Sequence, residues 1–238
     1  MNLLLLDPAE WAGGPRVTLA GRRLTHVREV HRAEVGATLR VGIVGGRVGR
    51  GVVTHLTADE LEIEVVIDAD PPPPSPIILV LALPRPKVLR RVLQCVAAMG
   101  VKRLLLANAR RVEKSFWESP SVAPESIRAD LLLGLEQARD TILPDVTLHP
   151  LFKPFVEDVL PGIAAGSTAL VAHPGAADTC PRALEGPVTL AVGPEGGFIP
   201  YEVDLLRAHA FRAVTLGPRI LRVEHAIPAL LSLLGPNL

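Results

Sequence analysis

Two glycine-containing segments carry the residue types from which a ligand site could be built. The first covers residues 192–198 and reads Val-Gly-Pro-Glu-Gly-Gly-Phe, so three glycines surround one carboxylate. Because glycine has no Cβ atom, a bound molecule can approach the backbone N–H and C=O groups of such a loop closely. The segment lacks the Gly-Lys-Ser/Thr of a P-loop and the spacing of a dinucleotide-binding fingerprint. On its spacing alone, it could equally be a tight turn between a strand and a helix.

The second segment, residues 216–225, follows an apolar strand pattern and runs into a helical one. It contains two arginines and a glutamate, Arg219, Arg222 and Glu224. Guanidinium groups bind phosphate and carbonyl oxygens well, whereas Glu224 could simply complement the dipole of the helix that begins here. His225 could exchange protons near neutral pH or be an ordinary polar residue at a helix start. Together the two segments predict a pocket, and the pattern leaves its ligand open.

Both segments stand at strand ends within an alternation of apolar strands and amphipathic helices. The predicted strands are 77–82, 103–107, 169–172, 188–192 and 213–216, and the predicted helices are 87–98, 123–138, 200–208 and 223–234. This alternation is typical of an α/β domain with a mainly parallel sheet. Ligands bind beyond the carboxyl ends of the strands in such sheets, which is where both glycine segments lie.

A run of prolines at residues 71–76 divides the chain, because polyproline joins neither a helix nor a central strand and acts as a stiff spacer. We therefore predict a first domain over 1–70, a linker over 71–76 and a second domain over 77–238. The first contains strand patterns at 3–6, 38–44, 47–55 and 60–67, one helix over 22–32, and a hairpin signal at Gly45-Gly46. Such short strands predict a small β-barrel.

The charged residues are unevenly distributed although the net charge is +0. Eight arginines lie between residues 16 and 50, and nine lysines or arginines lie between 85 and 114, each region holding few acids. Solvated helix faces could explain either region, but the predominance of arginine favours a phosphate backbone, and hence RNA. The RNA-binding candidates are Arg22, Arg23, Arg28, Arg32, Arg85, Lys87, Arg90, Arg110, Arg111 and Lys114.

Composition excludes several classes of protein. No apolar run reaches the roughly 18–20 residues of a membrane span, and the N-terminus lacks a basic signal-peptide region, which predicts a cytoplasmic protein without membrane contact. The two cysteines, Cys95 and Cys180, lack metal-ligand spacing, so we expect free thiols and no metal site. Hydrophobic residues make up 48% of the chain, and the mean hydropathy is +0.33. This surplus predicts a buried interface with a second copy, a homodimer.

The two glycine segments, taken together, resemble the ribosomal small-subunit methyltransferase E family, a branch of the SPOUT methyltransferases. The resemblance rests on Gly-Pro-Glu-Gly-Gly at 193–197 and on Leu-Gly-x-Arg-Ile-Leu-Arg-x-Glu at 216–224. Residues 26–30 and 32–41 are similar to its N-terminal helix and barrel, and Glu136-Gln137-x-Arg139 with Pro144 is similar to its central motif. It covers nearly the whole chain.

The resemblance implies a PUA-like β-barrel followed by a trefoil-knotted SPOUT α/β domain, assembled as a homodimer. It implies S-adenosyl-L-methionine as methyl donor and N3 of a uridine in small-subunit (16S) ribosomal RNA as acceptor, in naked RNA or in the assembled small ribosomal subunit. By the same resemblance, the cofactor-binding residues would be His173, Gly193, Glu195, Gly196, Gly197, Leu216, Gly217, Ile220 and Leu221.

Methylation at uridine N3 requires removal of the N3 proton, because that nitrogen has no free lone pair. An arginine near the uracil carbonyl oxygens would favour the anion; Arg222, Arg219 and Arg139 are candidates, with Glu195 or Glu224 as proton acceptor. Two alternatives stay open: a SPOUT enzyme that modifies another position, such as a transfer-RNA ribose 2′-hydroxyl, and a non-catalytic RNA-binding assembly factor.

Overall fold

The computed structural model describes residues 2–11 and 14–235, and the chain forms two compact units. The first unit comprises Met1–Pro73 and Leu132–Leu143, and the second comprises Pro74–Leu131 and Pro144–Leu238. The sequence prediction differs here, since it placed residues 77–238 in one continuous domain. In none of the described segments is a helix both long and apolar enough to cross a membrane.

The first unit is built on a five-stranded sheet with the order β1-β3-β4-β5-β2. The β1–β3 pair is parallel and the other pairs are antiparallel. One helix, α1, accompanies the sheet, and its Leu24 and Val27 join the buried core. The elements are β1 (Leu4–Leu6), β2 (Arg16–Leu19), α1 (Gly21–Glu29), β3 (Thr38–Ile43), β4 (Val48–Leu56) and β5 (Leu61–Ala69).

Two sequence predictions for this unit were wrong in detail. Strand β2 was missed, since its four residues alternate in burial over too short a length to give a clear pattern. The helix predicted over 22–32 ends at Glu29. The residues that follow Val27 add nothing to the core, because Val30 is 65% exposed and His31 is exposed as well, so further turns would bury nothing. Arg32 lies beyond the helix with φ 47°.

The segment Leu132–Leu143 belongs to the first unit because hydrogen bonds and an ion pair join it to that unit. The Asn2 amide donates to the Glu136 carbonyl at 2.9 Å, and the Gly45 amide donates to the Thr141 carbonyl at 2.8 Å. The Arg22 guanidinium donates to both carboxylate oxygens of buried Glu136, at 2.9 and 2.7 Å. This hydrogen bonding raises the pKa of Arg22 above its usual value. These contacts join residues far apart in the sequence, so no local sequence pattern could predict them.

The second unit is an α/β structure with a seven-stranded sheet of order β10-β12-β9-β11-β6-β7-β8, and every pair is parallel. This confirms the predicted parallel α/β fold. The strands are β6 (Ile77–Ala82), β7 (Arg103–Ala107), β8 (Asp145–His149), β9 (Thr168–Ala172), β10 (Asp178–Thr179), β11 (Val188–Val192) and β12 (Arg212–Thr215).

The helices of the chain after residue 76 are α2 (Pro86–Ala98), α3 (Lys114–Trp117), α4 (Pro124–Ala138), α5 (Phe152–Pro154), α6 (Leu160–Ala164), α7 (Pro200–Ala208) and α8 (Val223–Leu234). A π-helical turn, Phe155–Val159, connects α5 to α6. The long helices were predicted to within a residue at each end. The short ones were missed because three to five residues do not establish a helical period.

Gly49 provides a test of the sheet in the first unit. A Cβ atom at this position would lie 2.0 Å from the Val66 carbonyl oxygen, where the β4–β5 register shifts. We expect Gly49→Ala to lower the free energy of unfolding by about 3 kcal/mol, at the upper end of overpacking penalties. Thermal and urea unfolding followed by circular dichroism would measure this. Gly14→Ala is the matched control, because a Cβ atom there meets nothing within 4 Å; equal effects in the two variants would contradict the account.

Candidate functional site

Three loops of the second unit meet at the carboxyl edge of its sheet. Strands β9, β11 and β12 are neighbours, and they end at Ala172, Val192 and Thr215. The residues after these ends line one pocket together with the start of α8. The lining is mostly apolar, with a few polar groups, which is typical of a small-molecule site. The two glycine segments thus lie side by side, as expected for strand ends in a parallel sheet.

The glycine loop after β11 is both a tight turn and an open surface. The Gly197 amide donates to the Pro194 carbonyl at 2.7 Å, and Gly197 adopts a left-handed conformation with φ 72°. At Gly193, a Cβ atom would lie 2.9 Å from the Phe198 backbone nitrogen, so a side chain there would displace the loop. Gly193, Pro194, Glu195 and Gly197 line the pocket. The turn explanation and the binding explanation left open by the sequence are therefore compatible.

Glu195 fastens this loop to the start of helix α2. Its Oε1 accepts a hydrogen bond from the Arg85 amide at 3.0 Å, and Arg85 is the N-cap of α2. That helix has no acidic residue in its first turn and no side-chain cap of its own. A carboxylate from elsewhere in the sequence therefore complements the positive end of the helix dipole. One oxygen of Glu195 is thus engaged in positioning the loop.

Arg111, in the segment after β7, holds the same loop from a second direction. Its guanidinium donates a hydrogen bond to the Gly196 carbonyl. The arginine stem lies against Gly196, since a Cβ atom there would be 2.9 Å from Arg111 Cδ. Glycine at this position therefore allows the close approach of the arginine. Arg111 is one of the predicted RNA-binding residues, and the structure places its side chain on the glycine loop.

Buried Glu202 joins the start of α7 to the segment after β7. Its Oε1 accepts from the Arg110 amide at 2.6 Å, and its Oε2 accepts from the Ile199 amide at 2.9 Å. The residue is 3% exposed. Sequence reasoning missed it, although a glutamate at the third position of a helix that opens with Pro200 is a recognisable capping signal.

The loop after β12 brings exposed apolar side chains to the pocket. Thr215 Oγ1 donates to the Gly217 carbonyl and accepts from the Gly217 amide, both at 3.2 Å, and Gly217 has φ 118°. Leu216, Ile220 and Leu221 line the pocket, and Ile220 is 82% exposed. A large apolar side chain so exposed beside a pocket is typical of a surface that another molecule covers.

His173, in the loop after β9, supplies an unused polar atom. Its backbone amide donates to the Val214 carbonyl at 2.9 Å, which holds this loop beside β12. Its ring nitrogen Nδ1 is buried and makes no hydrogen bond with any described residue. Buried polar atoms are usually paired, so a hydrogen bond from a ligand would satisfy this one.

Within the described residues, no group of three or more His, Cys, Asp or Glu side chains is placed to hold a metal ion. Cys95 and Cys180 are free thiols, and burial raises the pKa of both above the usual value. Both therefore stay protonated and unreactive near neutral pH.

Comparison with known proteins identifies the family to which the chain belongs. The model of the RNA methyltransferase domain matches residues 71–235. The chain belongs to the RNA methyltransferase domain family. A ribosomal RNA small subunit methyltransferase E from Treponema pallidum is 29% identical over 232 residues, 95% of this chain and 87% of the relative. One from Mycobacterium bovis is 33% identical over 111 residues, 45% of this chain and 42% of the relative.

Solved structures share the fold of this RNA methyltransferase family member. A ribosomal RNA small subunit methyltransferase E from Neisseria gonorrhoeae, bound to S-adenosyl methionine, matches with TM-score 0.78 and 22% identity over 98% of this chain and 95% of that chain. A methyltransferase from Legionella pneumophila with bound SAM matches with TM-score 0.75 and 23% identity over 98% and 96%. Together these matches confirm the resemblance that the two glycine segments indicate.

The structure brings together most of the predicted cofactor residues. His173, Gly193, Glu195, Gly197, Leu216, Ile220 and Leu221 line the pocket, while Gly196 and Gly217 lie in the same loops but outside its lining. Residues missed from the sequence are Val192, Pro194, Val214, Thr215, Val223, Ala226 and Leu230. Of these, Val192, Val214 and Thr215 are at strand ends, which the strand prediction could have supplied.

The predicted catalytic residues are not all in the pocket lining. Arg219 lines it, whereas Arg222 is the exposed N-cap of α8 and Glu224 lies in the first turn of that helix. Arg139 belongs to the first unit. Arg222, Arg139, Glu195 and Glu224 therefore stay predictions as catalytic residues.

Several predicted RNA-binding residues are engaged within their own unit. Arg23 donates to the carboxylate of Glu10 and to the Leu5 carbonyl, and Arg28 donates to the Ala58 carbonyl at 2.8 Å. Arg90 pairs with Asp130 at 3.1 Å. The side chains that have no hydrogen bond or ion pair with any described residue are those of Arg32, Arg85, Lys87, Arg110 and Lys114. RNA binding by all ten residues stays a prediction.

The Glu202 bridge can be tested by Glu202→Gln. Glutamine has one acceptor oxygen for two backbone N–H groups, so one buried donor would lose its partner. We expect the free energy of unfolding to fall by about 2–3 kcal/mol, measured by thermal unfolding.

The matched control is Glu157→Gln, which removes a surface pair with Lys153 at 3.2 Å. It should leave the free energy of unfolding almost unchanged, because the pair is screened by solvent. Similar losses in both variants would show that the Glu202 bridge contributes no more than a surface pair.

Proposed function

We propose that this chain transfers the methyl group of S-adenosyl-L-methionine to N3 of a uridine in small-subunit (16S) ribosomal RNA. The observation that carries the proposal is the pocket at the carboxyl ends of β9, β11 and β12, lined by both glycine segments. Membership of the RNA methyltransferase domain family supports it. The name of the Treponema relative supports the choice of ribosomal RNA.

The pocket residues fit an adenosine-bearing cofactor. Leu216, Ile220 and Leu221 offer apolar surface for an adenine ring, and the buried Nδ1 of His173 lacks a partner that a polar ligand would provide. Gly193 and Gly197 leave the backbone of the loop approachable. When bound, the donor supplies an electrophilic methyl group on a positively charged sulfur, so alignment is the main task left to the protein.

Arg219 is the candidate arginine that lies in the pocket lining, so we propose that it acts on the acceptor base. A guanidinium beside a uracil carbonyl oxygen stabilises the anion left when N3 loses its proton. Glu195 holds the glycine loop through the Arg85 amide, so its proposed role is positioning. Glu224, in the first turn of α8, remains the proposed acceptor of the N3 proton, and Arg222, the N-cap of α8, remains a second proposed cation that would stabilise the anion.

We further propose the finer features of the fold and assembly. The first unit is a PUA-like β-barrel and the second is a trefoil-knotted SPOUT domain. The sheet order β10-β12-β9-β11, in which no neighbouring strands are consecutive in the chain, supports a knot. Exposed Ile220 beside the pocket supports a homodimer whose second copy covers it. The enzyme would act in the cytoplasm, where small ribosomal subunits are found.

The test is nucleoside mass spectrometry of small ribosomal subunits that lack the modification, incubated with the protein and S-adenosyl-L-methionine. The proposal predicts one 3-methyluridine per subunit. A 2′-O-methylated nucleoside in transfer RNA would instead identify another RNA position. Tight RNA binding without donor binding would identify an assembly factor.

The catalytic role of Arg219 can be tested separately. Arg219→Ala should lower kcat about 100-fold or more, the usual effect of removing one group that stabilises a developing anion. Arg207→Ala, an exposed arginine of α7 paired with Asp204 at 3.8 Å, is the control and should leave kcat unchanged. Single-turnover methyl transfer would measure both. If Arg219→Ala keeps the wild-type kcat and Arg222→Ala lowers kcat about 100-fold, Arg222 rather than Arg219 stabilises the anion.

A further inference from the structure

The first unit contains a cleft of about 430 Å³ that the proposed methyl transfer does not use. Three arginines line it: Arg40 from β3, Arg50 from β4, and Arg139 from the segment that follows α4. An adjoining part of the cleft is also lined by Arg40 and Arg139. The acidic residue that lines it is Asp68, so three arginines are offset by one carboxylate. The cleft is therefore positively charged.

Arg40 and Arg50 are direct cross-strand partners in the antiparallel β3–β4 pair. Like charges in opposing positions destabilise a sheet, so the pair is unfavourable for folding alone. Asp68 offsets part of this, with its carboxylate 3.4 Å from the Arg50 guanidinium. The Arg40 guanidinium makes no hydrogen bond or ion pair with any of residues 2–11 and 14–235. An anion in the cleft would relieve the repulsion.

Arg139 is a second feature that folding does not require. It lies directly after α4 in the left-handed region, with φ 62°, and the following Asp140 amide closes the helix on the Leu135 carbonyl at 3.1 Å. Glycine is the usual residue at this position, because other residues meet steric strain there. The Arg139 guanidinium is exposed and has no partner among the described residues. A strained residue with an unused charge is typical of a functional position.

Three of the four arginines predicted to hold RNA in this unit are already paired, and Arg32, which follows α1, is the exception. Arg22, Arg23 and Arg28 of α1 donate to acceptors within the first unit. Binding phosphate with these side chains would require breaking those contacts, including the pair with buried Glu136. Phosphate binding by Arg40 or Arg139 would break no such contact.

We propose that the cleft lined by Arg40, Arg50 and Arg139 binds phosphodiester groups of the RNA substrate. The choice of RNA as the polyanion rests on the proposed function. The presence of a positively charged cleft does not depend on it. Its arginines come from three separate segments along an open cleft, an arrangement that suits an extended phosphate backbone better than one small anion. In this account Arg139, a catalytic candidate from the sequence, binds the substrate backbone.

The test is fluorescence anisotropy with a labelled fragment of small-subunit ribosomal RNA, titrated at several salt concentrations. Each phosphate contact removed should reduce the slope of log affinity against log salt by about 0.7–0.9. At about 0.15 M salt this corresponds to roughly four- to sixfold weaker binding. The variants are Arg40→Gln and Arg139→Gly. Arg16→Gln is the matched control, an exposed arginine of the same unit that pairs with Glu62 at 3.8 Å and does not line the cleft.

Arg139→Gly separates binding from folding. Glycine relieves the left-handed strain, so the Tm of this variant should rise by about 2–4 °C while its RNA affinity falls. Weaker RNA binding in a more stable protein excludes unfolding as the cause. Wild-type salt slopes in both Arg40→Gln and Arg139→Gly would overturn the proposal, as would an equal loss in Arg16→Gln.

Two further measurements are needed. One distinguishes RNA from a small anion in the cleft, and the other distinguishes failure of the cleft proposal from failure of the proposed function. Inorganic phosphate at about 5 mM should not displace the RNA beyond its effect as ordinary salt; specific displacement would show a small-anion site and overturn the proposal. Donor binding and 3-methyluridine formation are measured on the same wild-type protein. If no 3-methyluridine forms but Arg40→Gln and Arg139→Gly still weaken RNA binding, the proposed function alone is rejected. If 3-methyluridine forms but these variants bind RNA like the wild type, the RNA-binding role of the cleft alone is rejected.

Discussion

The hydrogen bond between the Glu195 carboxylate and the Arg85 amide fixes the loop on which the site depends. It joins a flexible glycine loop to the N-terminus of a thirteen-residue helix, α2. Glu195 is exposed, so this bond contributes little to the stability of the fold. Its effect is to select one loop conformation among the many that three glycines allow. The Arg111 guanidinium on the Gly196 carbonyl restricts the loop further.

The parallel sheet supplies the rigid base for these contacts. The adjacent strands β6 and β11 are largely buried, and each fully buried Leu, Ile or Val side chain stabilises the fold by about 1.5–3 kcal/mol. Since all strands run in one direction, their carboxyl ends and the loops that follow lie at the same edge. A stable core thus positions loops whose own sequences favour flexibility.

The sequence was sufficient for those features that local patterns encode. Strands β6, β7 and β11 were predicted with their observed bounds because burial on both faces makes them nearly continuously apolar, with Arg103 and Thr189 as the exceptions. Edge strand β8 is only partly buried and β10 has two residues, so neither gave a signal. The glycine segments were identified from residue type, and the family resemblance assigned their ligand.

Features that depend on contacts distant in the sequence were not predictable. The sequence pattern places Leu132–Leu143 in the second domain, whereas its hydrogen bonds to Asn2 and Gly45 join it to the first unit. The cationic cleft likewise requires the register that places Arg40 opposite Arg50. A count of basic residues could not separate arginines paired with carboxylates from arginines left available.

The central claim is that the three loops after β9, β11 and β12 form the donor site. Hydrogen–deuterium exchange of the protein with and without S-adenosyl-L-methionine tests it most directly, because it locates binding independently of catalysis. The account predicts that the donor slows amide exchange in residues 172–174, 192–197 and 214–221. Donor binding, shown by calorimetry, that slows exchange only outside these segments would contradict it.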